Sequence, residues 1–267
     1  MKFYFNEAQK RGYNVSWNKI DDKQDFYIIG MFYKSHEDEL KKYIKERKYI
    51  YIEHSIETIL PEKPWIRNFL IPHSYRNFLF SQRQYQHLYN ALPRKNKYLL
   101  ESNIDYLVVP VDYNFWQPVE SIQRENNLYI FVGMIHSNKG VNEILEIAEN
   151  NPRNKYIFIG TAEGGDIDVD IFKQYTNIEY VGHKTPEQLR EYYSRAQGCY
   201  LLPTGGAVES AGRVVFEATL CGCEPIINND VGNKGWPFYK DRKKLIMGIK
   251  DSVDDFFHII KKGISGG

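Results

Sequence analysis

Residues 128–140 read Leu128-Tyr129-Ile130-Phe131-Val132-Gly133-Met134-Ile135-His136-Ser137-Asn138-Lys139-Gly140, and Val141, Ile144, Leu145 and Ala148 follow at helical spacing through Asn150. Five apolar residues, a small-residue turn and an amphipathic run make a buried strand, a loop and a covering helix over 139–150. The pattern then repeats. Tyr156–Gly160 and Ile178–Val181 read as strands, and Pro186–Ala196 as a helix with proline suited to its first turn. Cys199–Pro203 is a further strand, Ala211–Leu220 a helix stopped at Gly222, and Pro225–Ile227 a last strand. Strands alternating with helices at this spacing predict an α/β fold whose parallel sheet is covered on both faces.

Upstream the alternation is looser. Strands are expected within Asp25–Phe32, at Tyr49–Ile52, Phe78–Ser81 and Leu107–Pro110, and a charged amphipathic helix over Glu37–Arg47. Pro118–Asn127 is polar and without pattern, so it is read as a linker. The expected domains are residues 1–120 and 121–267.

Length and charge agree with two such halves. The chain has 267 residues, and 35 Lys and Arg against 34 Asp and Glu give a formal charge of +1, so no global field points to nucleic acid or membrane. At 42% hydrophobic residues it is not a disordered chain. No apolar run approaches the ~20 residues that cross a bilayer. Met1–Glu7 lacks the apolar stretch of a signal peptide, and Cys199, Cys221 and Cys223 sit among apolar neighbours, so a reducing cytoplasm is expected.

In sheets of this kind ligands sit beyond the carboxyl ends of the strands. Gly133 lets a ligand approach the backbone, and Lys139, at the head of the next helix, is either a phosphate-holding cation or a solvated lysine. Residues 203–217, Pro203-Thr204-Gly205-Gly206-Ala207-Val208-Glu209-Ser210-Ala211-Gly212-Arg213-Val214-Val215-Phe216-Glu217, join a strand to a helix through small residues whose amides can cradle an anion. Glu209 and Glu217 are eight residues apart, up to ~12 Å if both were helical. Carboxylates there suit the vicinal diols of a ribose and a sugar; the alternatives are a capping acid and an exposed helix residue. Glu217 lies among Val214, Val215, Phe216, Ala218 and Leu220, which calls for a partner.

Other chemistries find no support. Thr161–Asp166 lacks the Lys-Ser/Thr of a phosphate-binding P-loop, and no Gly-x-Gly-x-x-Gly follows a strand. Cys221-Gly222-Cys223 has no second ligand pair at zinc spacing, and no Gly-x-Ser-x-Gly elbow is present. Neither metal nor cofactor is expected.

With Gly133, Lys139-Gly140, Gly160, Val181-Gly182-His183, Pro203 and above all the Glu209–Glu217 signature running into Gly222-Cys223-Glu224-Pro225, the second half resembles the donor-binding domain of a GT-B glycosyltransferase. The resemblance is to the large retaining family 4, which includes sucrose-phosphate synthases and phosphatidylinositol mannosyltransferases. It implies two Rossmann-like domains facing a cleft, the N-terminal one reduced and on the acceptor side. It also implies metal-independent transfer from a UDP-, GDP- or ADP-sugar with retention at the anomeric carbon. On that resemblance Glu209 holds the donor sugar, Glu217 the ribose, and amides of Ser210, Ala211 and Gly212 the diphosphate. Lys139 balances the leaving charge, and His183 and Lys184 lie near the base. His54, ending the strand Ile52-Glu53-His54, stands where the family carries an active-site histidine.

Two departures matter. Met134 occupies the position of a family arginine, for which Arg213 is the candidate replacement; its alternative is an ordinary exposed residue. The first half is short. Within it, residues 63–100 carry Lys63, Arg67, Arg76, Arg83, Arg94, Lys95 and Lys97 among aromatics, and no Asp or Glu. That composition suits a nucleic acid or an anionic, peripheral membrane surface, or else a core of aromatics under solvated cations. A non-catalytic nucleotide-sugar-binding protein with a degenerate GT-B fold is the alternative function. A sugar-phosphate isomerase of the related epimerase fold has only shared architecture behind it.

Overall fold

The computed structural model describes residues 2–16, 26–30, 42, 48–52, 64, 66–101 and 103–265. The chain divides into two compact units, Met1–Pro110 with Gly248–Gly267, and Val111–Met247. The division falls ten residues earlier than the polar linker suggested, and the final segment groups with the first unit. The expected helix over Glu37–Arg47 lies outside the described residues apart from Lys42, and so does His54.

The first unit contains α1 (Lys2–Lys10), β1 (Phe26–Ile29), β2 (Lys48–Ile52), β3 (Arg76–Leu79), α2 (Gln82–Ala91) and β4 (Ile104–Tyr106). Its strands pair in parallel in the order β1-β2-β3-β4. The expected strand at Leu107–Pro110 is displaced. Leu107 still donates to Leu79 O at 2.8 Å, but the Val108 amide goes to Ser252 Oγ at 3.0 Å and Pro110 has no amide to give. The chain therefore leaves the ladder while Leu107, Val108 and Val109 stay buried.

The second unit contains β5 (Glu125–Val132), α3 (Val141–Asn150), β6 (Lys155–Ile159), β7 (Ile178–Tyr180), α4 (Pro186–Arg195), β8 (Ala196–Leu201), α5 (Arg213–Leu220) and β9 (Glu224–Ile227). α6 (Arg242–Ser265) begins in this unit and ends in the first. All five strands pair in parallel in the order β7-β6-β5-β8-β9. The chain winds outward from β5 on one side, then crosses back to lay β8 on its other side. Val141, Ile144, Leu145 and Ala148 of α3 are buried as their spacing requires, against Phe131, Phe158 and Phe172. Thr185 and Gln188 form a reciprocal capping box ahead of α4, with Pro186 in the first turn. Among the described residues no helix is long and apolar enough to cross a membrane.

Candidate functional site

The strand order reverses between β5 and β8, and the loops leaving these two strands, 133–140 and 202–212, emerge side by side. That switch point is where open α/β sheets place their ligands. The loops are stitched together: the Thr204 amide donates to Asn138 O and the Thr204 hydroxyl to Ser137 O, both at 3.1 Å. Gly140 sits at φ 81°, and a Cβ there would lie 2.1 Å from Leu202 O, so only glycine permits this approach. It also breaks the helix expected from Lys139: residues 137–139 form a short 3₁₀ turn, and α3 starts at Val141. On the outer side Asp166 accepts the Ser137 amide at 2.7 Å and its hydroxyl. These bonds, the hydroxyl's foremost, hold the Asp166 carboxyl below its usual range.

Lys139 and Glu209, 70 residues apart in sequence, meet at the switch point with Lys139 Nζ 2.7 Å from Glu209 Oε2. Glu209 is not helical. It bridges in parallel to Val231, its amide donating to Asp230 O at 3.0 Å while its carbonyl accepts from the Gly232 amide at 2.8 Å. The two glutamates are therefore not spaced along one helix. α5 starts only at Arg213, because fully buried Asn233 holds Gly212 from both sides: Oδ1 accepts the Gly212 amide at 2.7 Å and Nδ2 donates to Gly212 O at 3.2 Å. The Gly212 amide is thus engaged and cannot also cradle an anion. Ser210 is buried and Ala211 half-buried beside it.

Glu217 has the partners its apolar setting demanded. Arg213 Nη2 donates to Oε1 at 3.0 Å, and Tyr193 gives Oε2 a long hydrogen bond of 3.5 Å. Burial raises the Glu217 carboxyl above its usual range, and the Arg213 charge and hydrogen bond oppose that rise. Arg213, expected as a phosphate-binding cation, is in this state paired with Glu217. Gly133 follows β5, its amide donating to Ile159 O at 2.9 Å, and Met134 beside it is exposed. His183 and Lys184 follow β7 around Gly182; His183 is exposed and Lys184 Nζ donates to Val181 O. The three cysteines are buried and free, and burial foremost pushes Cys221 and Cys223 up to about 12. Among the described residues no group of His, Cys, Asp or Glu is arranged to hold a metal ion.

Residues 112–235 match the family described as glycosyl transferases group 1. No curated protein matches the chain. The solved glycosyltransferase from Rickettsia africae is similar over 100% of this chain and 81% of its own length, at TM-score 0.66 and 12% identity. The fold is that of GT-B glycosyltransferases. The Anabaena HepE protein in complex with UDP-glucose, 17% identical with TM-score 0.60, aligns over 84% of this chain and 69% of its own. An alpha-glucosyltransferase in complex with UDP and a mismatched 13-mer DNA is 13% identical at TM-score 0.53, over 91% and 74%.

Within this GT-B fold, three residues that sequence reasoning missed shape the site. Asn233 fixes the head of α5, Asp166 fixes the 133–140 loop, and Tyr193 reaches Glu217. Asn228 adds a fourth tie, donating to Pro203 O at 2.7 Å. Each acts across 20 or more residues of sequence. An Asn-rich run just past a strand, Asn228-Asn229-Asp230, was the only local signal.

Proposed function

We propose that this chain is a retaining glycosyltransferase that moves a sugar from a nucleoside-diphosphate sugar to an acceptor hydroxyl. The supporting observation is the contact of Lys139 with Glu209 at the β5/β8 switch point. A cation for the leaving diphosphate and a carboxylate for sugar hydroxyls there stand side by side on a backbone that only glycine allows. In the donor complex the diphosphate takes Lys139 from Glu209, and the freed Glu209 oxygen accepts hydrogen bonds from the sugar. Lys139, the amides of Arg213 and Val214 at the head of α5, and Arg213 itself stabilise the charge that grows on the departing diphosphate, without a metal. Glu217, held by Arg213 and Tyr193, receives the ribose diol. Glu209 is committed to sugar binding, so the acceptor hydroxyl attacks from the face the diphosphate leaves, which gives retention. Cytoplasmic residence remains part of this proposal.

Similarity to structures holding UDP or UDP-glucose makes uridine the first base to test. Melting of the wild-type chain with UDP, GDP, ADP and their glucose conjugates should single out one base. At about 100-fold excess over the dissociation constant the stabilisation is ~2.7 kcal/mol. Lys139→Ala should abolish most of that shift. Glu209→Ala should keep the nucleoside-diphosphate shift yet lose at least about tenfold in donor turnover. A panel with no shift for any nucleotide would favour a degenerate fold. Retained turnover in Glu209→Ala would remove that residue from the chemistry.

A further inference from the structure

From residue 63 to residue 100 the sequence has cations and no acid, and the structure shows where the second part of that run goes. α2 turns Leu88 inward, and Leu88, Leu92 and Leu100 pack with Leu79 in a closed apolar cluster. On the outer side of α2 the amides Gln82, Gln86 and Asn90 are exposed. Beyond α2 the chain makes a 3₁₀ turn at Arg94–Asn96, whose Arg94 and Lys95 are exposed and form no ion pair among the described residues. The adjoining Tyr98 is 58% exposed. Beside it Lys97 Nζ lies 4.2 Å from the centre of the Tyr89 ring, which stacks on Tyr85 at 5.7 Å. Glu101 accepts the Tyr89 hydroxyl at 3.1 Å, and Asp105 is 3.6 Å from Arg76.

We infer that this face of the first unit, Arg94, Lys95, Lys97 and Tyr98 with the amide edge of α2, binds single-stranded nucleic acid. Cations that form no ion pair among the described residues match a phosphate backbone, an exposed tyrosine offers a platform for an unpaired base, and exposed amides match base edges. A bilayer needs the opposite arrangement. It requires an apolar wedge beneath the cations, and here Leu88, Leu92 and Leu100 are turned into the core. Taken with the proposed transferase activity, on which this last step rests, the acceptor hydroxyl is carried on a polynucleotide.

The test is fluorescence anisotropy of a labelled single-stranded oligodeoxynucleotide and its duplex, titrated with the full chain at several salt concentrations. Binding should weaken steeply with salt. Arg94→Ala/Lys95→Ala should lower the log–log salt slope by about 1.4, and Tyr98→Ala should weaken single-strand binding by about tenfold. UDP-glucose hydrolysis should be unchanged in both variants, because the donor loops are untouched. Binding that is absent at low salt, insensitive to salt or unaltered in either variant overturns the proposal. So does preference for the duplex, or for phosphatidylserine vesicles that compete the oligonucleotide away. Loss of hydrolysis by Lys139→Ala is scored separately, so failure of the transferase reading stays distinguishable from failure of the nucleic-acid surface.

Discussion

A carboxylate among apolar side chains is stable only through its partners, and Glu217 has two. Burial raises its carboxyl above the ordinary value of 4.5, while Arg213 and Tyr193 hold it down. The folded value therefore exceeds the unfolded one, and the folded chain binds that proton more tightly. The resulting stability is fully present below about pH 4.5 and is lost as pH rises through the folded value. Glu217→Gln removes this dependence. Its stability relative to wild type should increase from pH 4.5 toward neutrality, by about 1.4 kcal/mol for each unit of pKa difference. Urea denaturation across that range gives the answer, and a constant difference would mean that burial is fully offset. The same variant should bind nucleoside diphosphate more weakly. Sequence alone showed that Glu217 needs a partner, because its apolar neighbours are adjacent in the chain. It did not show that Arg213, one turn earlier, is that partner, because exposed residues carry no such mark.

Elements were legible where their signal is local. α3 and α4 follow from the period of their apolar residues and from Pro186, and both formed within two residues of expectation. α5 also formed within two residues of expectation, but what sets its start is distant in sequence. α5 begins at Arg213 since Asn233, 21 residues later, holds the Gly212 amide and carbonyl. α6 carried a readable signal, Leu245, Ile249, Val253, Phe256 and Ile260 at helical spacing, all buried, that the reading did not use. The role of Asn233 can be measured. Asn233→Ala leaves the buried Gly212 amide unpaired, while Gly212 O keeps the Val215 amide, and should lower stability by about 1–3 kcal/mol. It should also weaken nucleoside-diphosphate binding, because the head of α5 is no longer fixed. Asn233→Asp keeps the acceptor for the Gly212 amide and should recover part of both. If unfolding of Asn233→Ala matched wild type, the head of α5 would be set by something other than this amide.

At the scale of the whole molecule, the second unit is one continuous stretch with its own core, whereas the first unit takes its core from both ends of the chain. Tyr4 of α1 packs 4.4 Å from Phe256 of α6, and Phe256 packs 5.3 Å from Phe78 of β3. The final twenty residues thus complete an interior begun by the first ten, a pairing that local periodicity cannot show. Phe256→Ala should therefore destabilise the first unit by about 3–5 kcal/mol, the usual range for an aromatic removed from a core. Hydrogen exchange resolved by peptide is the suitable measurement, since it reads each sheet separately. Amides of β2 and β3 should exchange faster in the variant, while those of β5, β6 and β8 keep their protection and nucleoside-diphosphate binding persists. Equal loss of protection in both sheets would make the two units one cooperative body, and the division at Pro110 and Val111 would then have no energetic counterpart.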